Sequence, residues 1–478
     1  MSGKACIPVI TCPADFPREL FETAVSQLIH HPEYNSTLIL RSEVVDEEDD
    51  PPNSPTTLPQ LEGMRIVRDI HRRLLPRRPN RDSGLEQHCT LYAPLEPEPA
   101  TPTALVLTPI LQADAPLPYY HPTVSHLAFR YLSFPQSPGA LRIEVVPLPG
   151  TSLDPGARLY RTCLALLETL HRYGWGSLTQ YKKRVAHDVL VPRETYQDLY
   201  LVMRERHNHL VGEWREVTDP LKHVFEDIGI ATYLMLLWKD TYGTPGTTED
   251  EGDEPWRRWP RPPGGFVDLG CGNGLLTHIL AAEGYDGHGI DLRARMSWSH
   301  YPPATQSRLH VEALDPTSTV LPSSSHFARG CFIIGNHADE LTPWVPVLAT
   351  RSAASGYLSI PCCAWTFDAK YERSRDAPYP LPSEPADFEE SLNLGGDGGK
   401  TSSYSMYRIW LASLSLHCGW AVECETLRIP STRNWALIGR RRRGDVDDAM
   451  CNVDEIVEDV RRRGVFKTRR PEGKAGDH

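Results

Sequence analysis

From residue 266 onward the chain alternates short apolar runs with amphipathic ones. Residues 266–269 (Phe-Val-Asp-Leu), 288–291, 309–313, 331–335 and 356–360 read as buried strands. Between or after them, residues 275–283, 343–354 and 402–417 carry apolar side chains at helical spacing. Strand and helix in alternation predict a doubly wound, mostly parallel α/β sheet covered by helices. Two last strands, 421–429 and 435–440, are joined by Pro-Ser-Thr-Arg. That closing strand–turn–strand pair makes the final strand antiparallel.

Upstream the pattern is different. Residues 159–171 and 193–205 have helical spacing, and Thr218-Asp219-Pro220 forms a helix entry: the Asp caps free amides and Pro suits the first turn. Residues 1–42 mix short helical and extended patterns, 63–75 read as a helix, and 103–107 and 141–147 have strand character. Residues 46–59 lack apolar side chains to bury and read as disordered. The predicted organisation is a mixed α/β region over 1–155 with an insertion near 43–60, and a helical segment over 156–242. A flexible 243–263, a ligand-binding α/β domain over 264–443 and a charged tail over 444–478 follow.

Composition narrows the class without deciding it. With 478 residues, 40% hydrophobic and 23% charged, the chain suits a globular enzyme, and 43 prolines predict long irregular connections. A net charge of −12 weighs against bulk nucleic-acid binding, although acidic blocks at 43–50 and 249–254 carry much of it. The 11 cysteines show neither a Cys-x-x-Cys pair nor zinc-type Cys/His spacing, so no metal is expected, and Cys362-Cys363 reads as buried thiols. No signal peptide is evident, and the most apolar stretch, 230–238, is too short to span a bilayer. A cytoplasmic protein without a membrane is the expectation.

The candidate chemistry begins at Gly270-Cys-Gly272-Asn-Gly274, between a strand and a helix. Glycines allow a sharp turn and close backbone approach, and helix-start amides hold an anionic group. Asp268 stands two residues ahead, where it accepts from an ammonium or orders the loop. Asp291 ends the second strand, where a carboxylate takes both ribose hydroxyls of a nucleoside. Asp315, after the third strand, suits an adenine contact or a plain turn. The spacing is Gly-x-Gly-x-Gly rather than the dinucleotide Gly-x-Gly-x-x-Gly. With the antiparallel last strand, it resembles the class I (Rossmann-like) methyltransferases that bind S-adenosyl-L-methionine.

After the fourth strand, Ile334-Gly-Asn-His-Ala-Asp-Glu-Leu-Thr-Pro-Trp344 gathers an amide, an imidazole and two carboxylates. Ligands in open parallel sheets lie beyond the strands' carboxyl ends, so this segment borders the reacting group. It also reads as a helix cap. Together with 267–274, 357–363, Tyr181-Lys-Lys-Arg-Val-Ala-His-Asp188, Thr218-Asp-Pro-Leu-Lys-His-Val-Phe-Glu-Asp227 and Ile429-Pro-Ser-Thr-Arg-Asn434, it resembles the tRNA (uracil-2′-O-)-methyltransferase family. The resemblance covers most of 180–440, thins before 120 and ends near 445. It implies 2′-O-methylation of uridine 44 in serine tRNA.

For that reaction Asp339 and His337 are the candidate bases. Lys370 is a candidate to lower the hydroxyl's pKa or bind a phosphate, or is a plain surface lysine. Lys182, Lys183, Arg184, Lys222 and Arg433 are candidate RNA contacts. Trp344, Trp365 and Trp435 are candidates to stack on a base, Trp435 being better suited to the core. The basic runs 440–443 and 461–470 are further candidates to grip RNA. A complete Lys-Asp-Lys-Glu set, used by many ribose methyltransferases, is not found. Two other readings stand beside this one: a class I methyltransferase for a protein or small molecule, and a non-catalytic tRNA-binding scaffold.

Overall fold

The structure, a computed structural model, describes residues 6–49, 51, 58–95, 101–111, 116–180, 185–244, 252–318, 326–367, 369–373, 378–382, 384–395, 402–464 and 466. It divides into two compact units, 1–182 and 183–478.

The first unit holds a seven-stranded, wholly antiparallel sheet in the order β1-β7-β6-β5-β4-β3-β2. Its strands are β1 (Ile7–Pro13), β2 (Ile39–Asp49), β3 (Met64–Pro76), β4 (Leu85–Pro94), β5 (Ala104–Ile110), β6 (Val124–Phe134) and β7 (Ser137–Pro147). Helices α1 (Phe21–His30) and α2 (Arg158–Leu178) bury Phe21, Val25, Leu159 and Leu167 with the inward residues Leu105, Phe129 and Ile143.

Three expectations are corrected here. Residues 64–76 are strand, not helix. The inward positions of β3 are Ile70, Arg72 and Leu74, and the buried arginine breaks the apolar alternation that marks a strand. Arg72 is tolerated because its guanidinium donates to the Leu28 and Ile29 carbonyls at the end of α1 and to Gln87 on β4. Residues 46–49, expected to be disordered, extend β2, paired with 68–71 of β3; residues 50 and 52–57 lie outside the description. The helices grouped over 156–242 fall into both units, because α2 belongs to the first core.

The second unit opens with α3 (Arg193–His207) and α4 (Pro220–Tyr242). As expected, Asp219 caps α4 by accepting from Leu221 N at 3.0 Å, a contact worth about 1 kcal/mol. Then come β8 (Phe266–Leu269), α5 (Leu275–Ala282), β9 (Gly287–Asp291), α6 (Pro303–Gln306), β10 (Leu309–Val311), β11 (Phe332–Asn336), α7 (Trp344–Arg351) and β12 (Gly356–Ile360). The remaining elements are α8 (Pro385–Ser391), α9 (Ser403–His417), β13 (Glu423–Thr426), β14 (Trp435–Gly439) and α10 (Val446–Arg463).

The sheet order is β10-β9-β8-β11-β12-β14-β13, with β14 antiparallel to both neighbours and β8–β12 parallel. Successive side chains face opposite layers. Phe266, Phe332, Ile334 and Leu358 pack under α3, α4 and α5, whereas Val267, Ile333 and Tyr357 pack under α7, α9 and α10. The order reverses between β8 and β11, and that reversal opens a crevice at the strands' carboxyl ends.

The expected charged tail is also corrected. Most of 446–463 is helix α10, and Ala449, Val453, Ile456, Val457 and Val460 form a buried stripe at helical spacing. Asp445 caps it by accepting from the Asp447 and Asp448 amides. No helix among the described residues is long and apolar enough to cross a membrane.

Candidate functional site

The chain leaves β8 into a loop where Gly270, Gly272 and Gly274 all have positive φ. At Gly274, φ is +74° and an added Cβ would lie 2.9 Å from Leu309 and 3.2 Å from the Trp298 indole nitrogen. At Gly272, nothing lies within 4 Å of such a Cβ, so the backbone there faces open space. Gly272 N donates to Asp291 Oδ2 at 2.9 Å, and Trp298 Nε1 donates to Gly272 O at 2.9 Å. Asn273 Oδ1 accepts from Leu275 N, the first amide of α5, at 2.8 Å.

Asp268 is 1% exposed. One carboxylate oxygen accepts from Thr277 Oγ1 at 3.1 Å, and the other, Oδ1, is buried with no partner among the described residues. Burial pushes its pKa up to about 7, with the Asp291 charge adding to the rise and the Thr277 bond opposing it. An orphaned acceptor in a glycine cradle fits a ligand that brings a cation or donor, as the ammonium of S-adenosylmethionine does. Asp291 Oδ1 accepts from Arg293 N at 3.2 Å, and a carboxylate has room for roughly four hydrogen bonds. Asp315 Oδ1 accepts from Thr317 N at 2.9 Å and Thr317 Oγ1 at 2.7 Å, which closes a turn.

The loop after β11 faces this one: an added Cβ at Gly270 would lie 3.6 Å from Ala338 Cα. His337 and Asp339 both have positive φ, +54° and +44°. For a side chain with a Cβ that conformation costs about 1–2 kcal/mol, and such strain collects at functional sites. His337 Nε2 lies 3.2 Å from Glu226 Oε1 on α4, and its Nδ1 is buried without a partner among the described residues. Asn336 Nδ2 reaches Asp227 Oδ1 at 3.5 Å, the outer limit for such a bond. Burial pushes the Glu226 carboxyl up, but His337, Ser431 and Lys222 together outweigh it and hold it below its ordinary value. Asp227 moves the other way: burial, then the charges of Glu226 and Asp268, push it well above the carboxylate range.

Further segments complete the edge. Asp339 is exposed and accepts from the Cys362 thiol at 3.4 Å. Tyr404, at the start of α9, donates to Pro361 O at 2.6 Å, and the exposed Arg433 guanidinium lies 3.8 Å over its ring. Lys222 is exposed one turn before Glu226. Lys370 is exposed on the Trp365–Lys370 bridge, with no hydrogen bond or ion pair to His337 or Asp339. Lys182, Lys183 and Arg184 lie outside the described residues.

Several expected contacts are not available. Trp344 is fully buried against Phe367 and Phe466, and Trp435 is buried too, so neither faces an incoming base. Arg440 is paired with Glu423 and Asp240, and Arg442 lies over the Trp420 ring, which removes both from a free basic grip. Cys363 is exposed and Cys362 half-exposed rather than buried, and both thiols are free. Glu226 and Asp227 were missed as site residues. Their signal was two adjacent acids in a helix whose following residues, 228–238, are all buried.

The second unit thus joins a glycine loop and an orphaned carboxylate to a crevice at the sheet's reversal, and its class is that of the S-adenosylmethionine-dependent methyltransferases. Residues 190–252 and 256–316 match the family described as predicted AdoMet-dependent methyltransferase, and residues 1–184 match the TRM44-like, N-terminal bet v1-like domain. A Neurospora crassa tRNA (uracil-O(2)-)-methyltransferase is 34% identical, covering 94% of this chain and 89% of its own length. Relatives of the same name from Schizosaccharomyces pombe (35%; 89% and 83%) and Candida glabrata (31%; 89% and 87%) are similar. The chain belongs to the tRNA (uracil-O(2)-)-methyltransferase family.

Proposed function

We propose that this protein methylates the ribose 2′-hydroxyl of a uridine in tRNA, and that the uridine is number 44 of serine tRNA. Its second unit is read as a class I, Rossmann-like methyltransferase, which the strand order β10-β9-β8-β11-β12-β14-β13 supports. The observation that carries the chemical reading is the Glu226–His337 pair beside the Asp268–Gly274 cradle, at the carboxyl ends of the central strands β8 and β11.

S-adenosylmethionine supplies an electrophilic methyl group when bound. Asp268 Oδ1 receives its ammonium, the open backbone at Gly272 admits it, and Asp291 takes the ribose hydroxyls. Asp315, already engaged in its turn, borders the adenine. A ribose hydroxyl is a poor nucleophile and must lose its proton during attack. Glu226 holds the His337 Nε2–H, which leaves Nδ1 as the proton acceptor. Nδ1 is covered by protein atoms, so an entering ribose has to uncover it. Asp339, exposed and two residues on, is the alternative acceptor. Lys222 and Arg433 flank the pair and supply phosphate contacts, which position RNA without reading its sequence. Lys182, Lys183 and Arg184 extend that basic set in the sequence, and Lys370 is kept for the neighbouring phosphate.

The test is to incubate purified protein with S-adenosylmethionine and total tRNA and to map 2′-O-methyl positions. Methylation at uridine 44 of serine tRNA is expected. Label in another nucleotide would refute the site, and label in protein alone would refute the substrate class.

A further inference from the structure

At the edge of the second sheet, two neighbouring strands bring His288 and His310 together, with His288 Nδ1 3.0 Å from His310 Nε2. His326 lies against both, its ring centroid 4.1 Å from that of His310 and 5.1 Å from that of His288. One ring nitrogen from each of the three lies within 4.8 Å of the others. All three residues are half-buried.

Such a cluster is unfavourable for protonated imidazoles. Imidazole binds a metal through the ring lone pair of its neutral form, and three rings brought this close favour that form over three neighbouring cations. His326 Nδ1 is buried without a hydrogen-bond partner among the described residues, while its Nε2 lies 3.7 Å from Glu312 Oε2. The Glu312 carboxylate thus stands just outside hydrogen-bond range, on the side from which a carboxylate fixes the tautomer of a metal-bound histidine once it closes.

We infer that His288, His310 and His326 form a binding site for a zinc-type divalent ion, with Glu312 orienting His326 and a fourth position left to solvent. Zinc–imidazole bonds of about 2.0–2.1 Å put tetrahedral ligand nitrogens about 3.3 Å apart. The His288 Nδ1–His310 Nε2 distance is 3.0 Å and no ligand nitrogen is more than 4.8 Å from the others, so side-chain shifts close the site. Imidazole ligands suit zinc, copper and nickel alike, and zinc imposes the least geometry of its own. The site adjoins the cofactor half: Glu312 N donates to the Asp291 carbonyl at 2.9 Å. A bound ion would brace the strand end that carries Asp291.

The test uses the full-length chain, stripped with chelator and titrated with zinc in a calorimeter. A second thiol cluster, Asp339 with Cys362 and Cys363, also gathers ligand atoms within 4.8 Å. The titration is therefore run in a Cys362→Ser/Cys363→Ser background. One zinc equivalent is expected there, lost in His288→Gln/His310→Gln, and Glu312→Gln is expected to weaken it by about 10–100-fold. Cobalt substitution is expected to give a spectrum without thiolate charge transfer. Equal zinc binding with and without the histidines would overturn the site, and so would zinc binding that disappears entirely in the cysteine-free background. If the double histidine variant fails to fold by circular dichroism, His326→Gln carries the same comparison.

Discussion

In the proposed cofactor half of the site, around the 270–274 loop, the polypeptide backbone does most of the holding. Gly272 N–H binds Asp291, the Gly270 and Cys271 amides bind the Ile290 carbonyl, and the participating residues fall within one strand–helix–strand unit. In the proposed acceptor half, side chains do that work, and they come from separate places: Glu226 on α4, His337 and Asp339 after β11, Cys362 after β12, Tyr404 on α9, and Ser431 and Arg433 before β14. A backbone-held pocket depends on a few glycines and is indifferent to most side-chain changes. An assembly of side chains from distant segments can be retuned one residue at a time. The acceptor specificity of such an enzyme can therefore change while its cofactor chemistry stays fixed.

That contrast can be pressed from both sides. His337→Gln is expected to have the largest effect, lowering single-turnover methylation by roughly 10²–10⁴-fold, with S-adenosylmethionine affinity unchanged by calorimetry. If Asp339→Asn shows that loss and His337→Gln does not, the proton acceptor is Asp339. The next effect is one of pH. Asp268 is raised to about 7, whereas an unfolded aspartate sits at about 4. Between those values the native chain keeps a proton that the unfolded chain has released, so this group's contribution to stability is full below about 4 and lost as pH rises through about 7. A cationic ligand needs the ionised form, so cofactor affinity is expected to rise by up to about tenfold per pH unit below that value and level off above it. Asp268→Asn is expected to bind weakly at every pH, and an unaltered pH profile in that variant would remove Asp268 from the site.

Gly274→Ala forces a methyl group into a left-handed conformation and toward Leu309. It is expected to cost about 1–2 kcal/mol in chemical denaturation and to weaken cofactor binding while leaving tRNA binding intact. Asp315→Ala comes last. It removes two turn hydrogen bonds, and a loss of about 1 kcal/mol or less is expected. A much larger drop in cofactor affinity than in stability would show that Asp315 contacts the cofactor directly.

The second sheet was legible because strands buried on both faces read as short, mostly apolar runs, and 266–269, 332–336 and 356–360 are such runs, each carrying one polar residue. The first sheet was less so. Arg72 sits inward on β3 where a strand reading expects an apolar residue, and its partners lie 15 to 44 residues away. Helix α10 was hidden by its acids and arginines, which outnumber the buried stripe though not its spacing. In the cofactor half, Asp268, the glycines and Asp291 could be named because local spacing sets the geometry. The Glu226 contact with His337 spans 111 residues, and the His288–His310–His326 group draws on three separate segments. The adjacent acids 226 and 227 mark their own helix but not the partner, and no local pattern announces either pairing.

Helix α10 also limits how far the chain can be shortened. A version ending at Arg443 would lose the cover that Val453, Ile456, Val457 and Val460 give to the layer under α7 and α9. It would leave on the surface a contiguous oily patch of the kind that drives self-association. Phe466, edge-on against Trp344, belongs to the same cover, so a shortened protein that keeps residues 446–466 keeps the patch closed, and one cut within these turns does not.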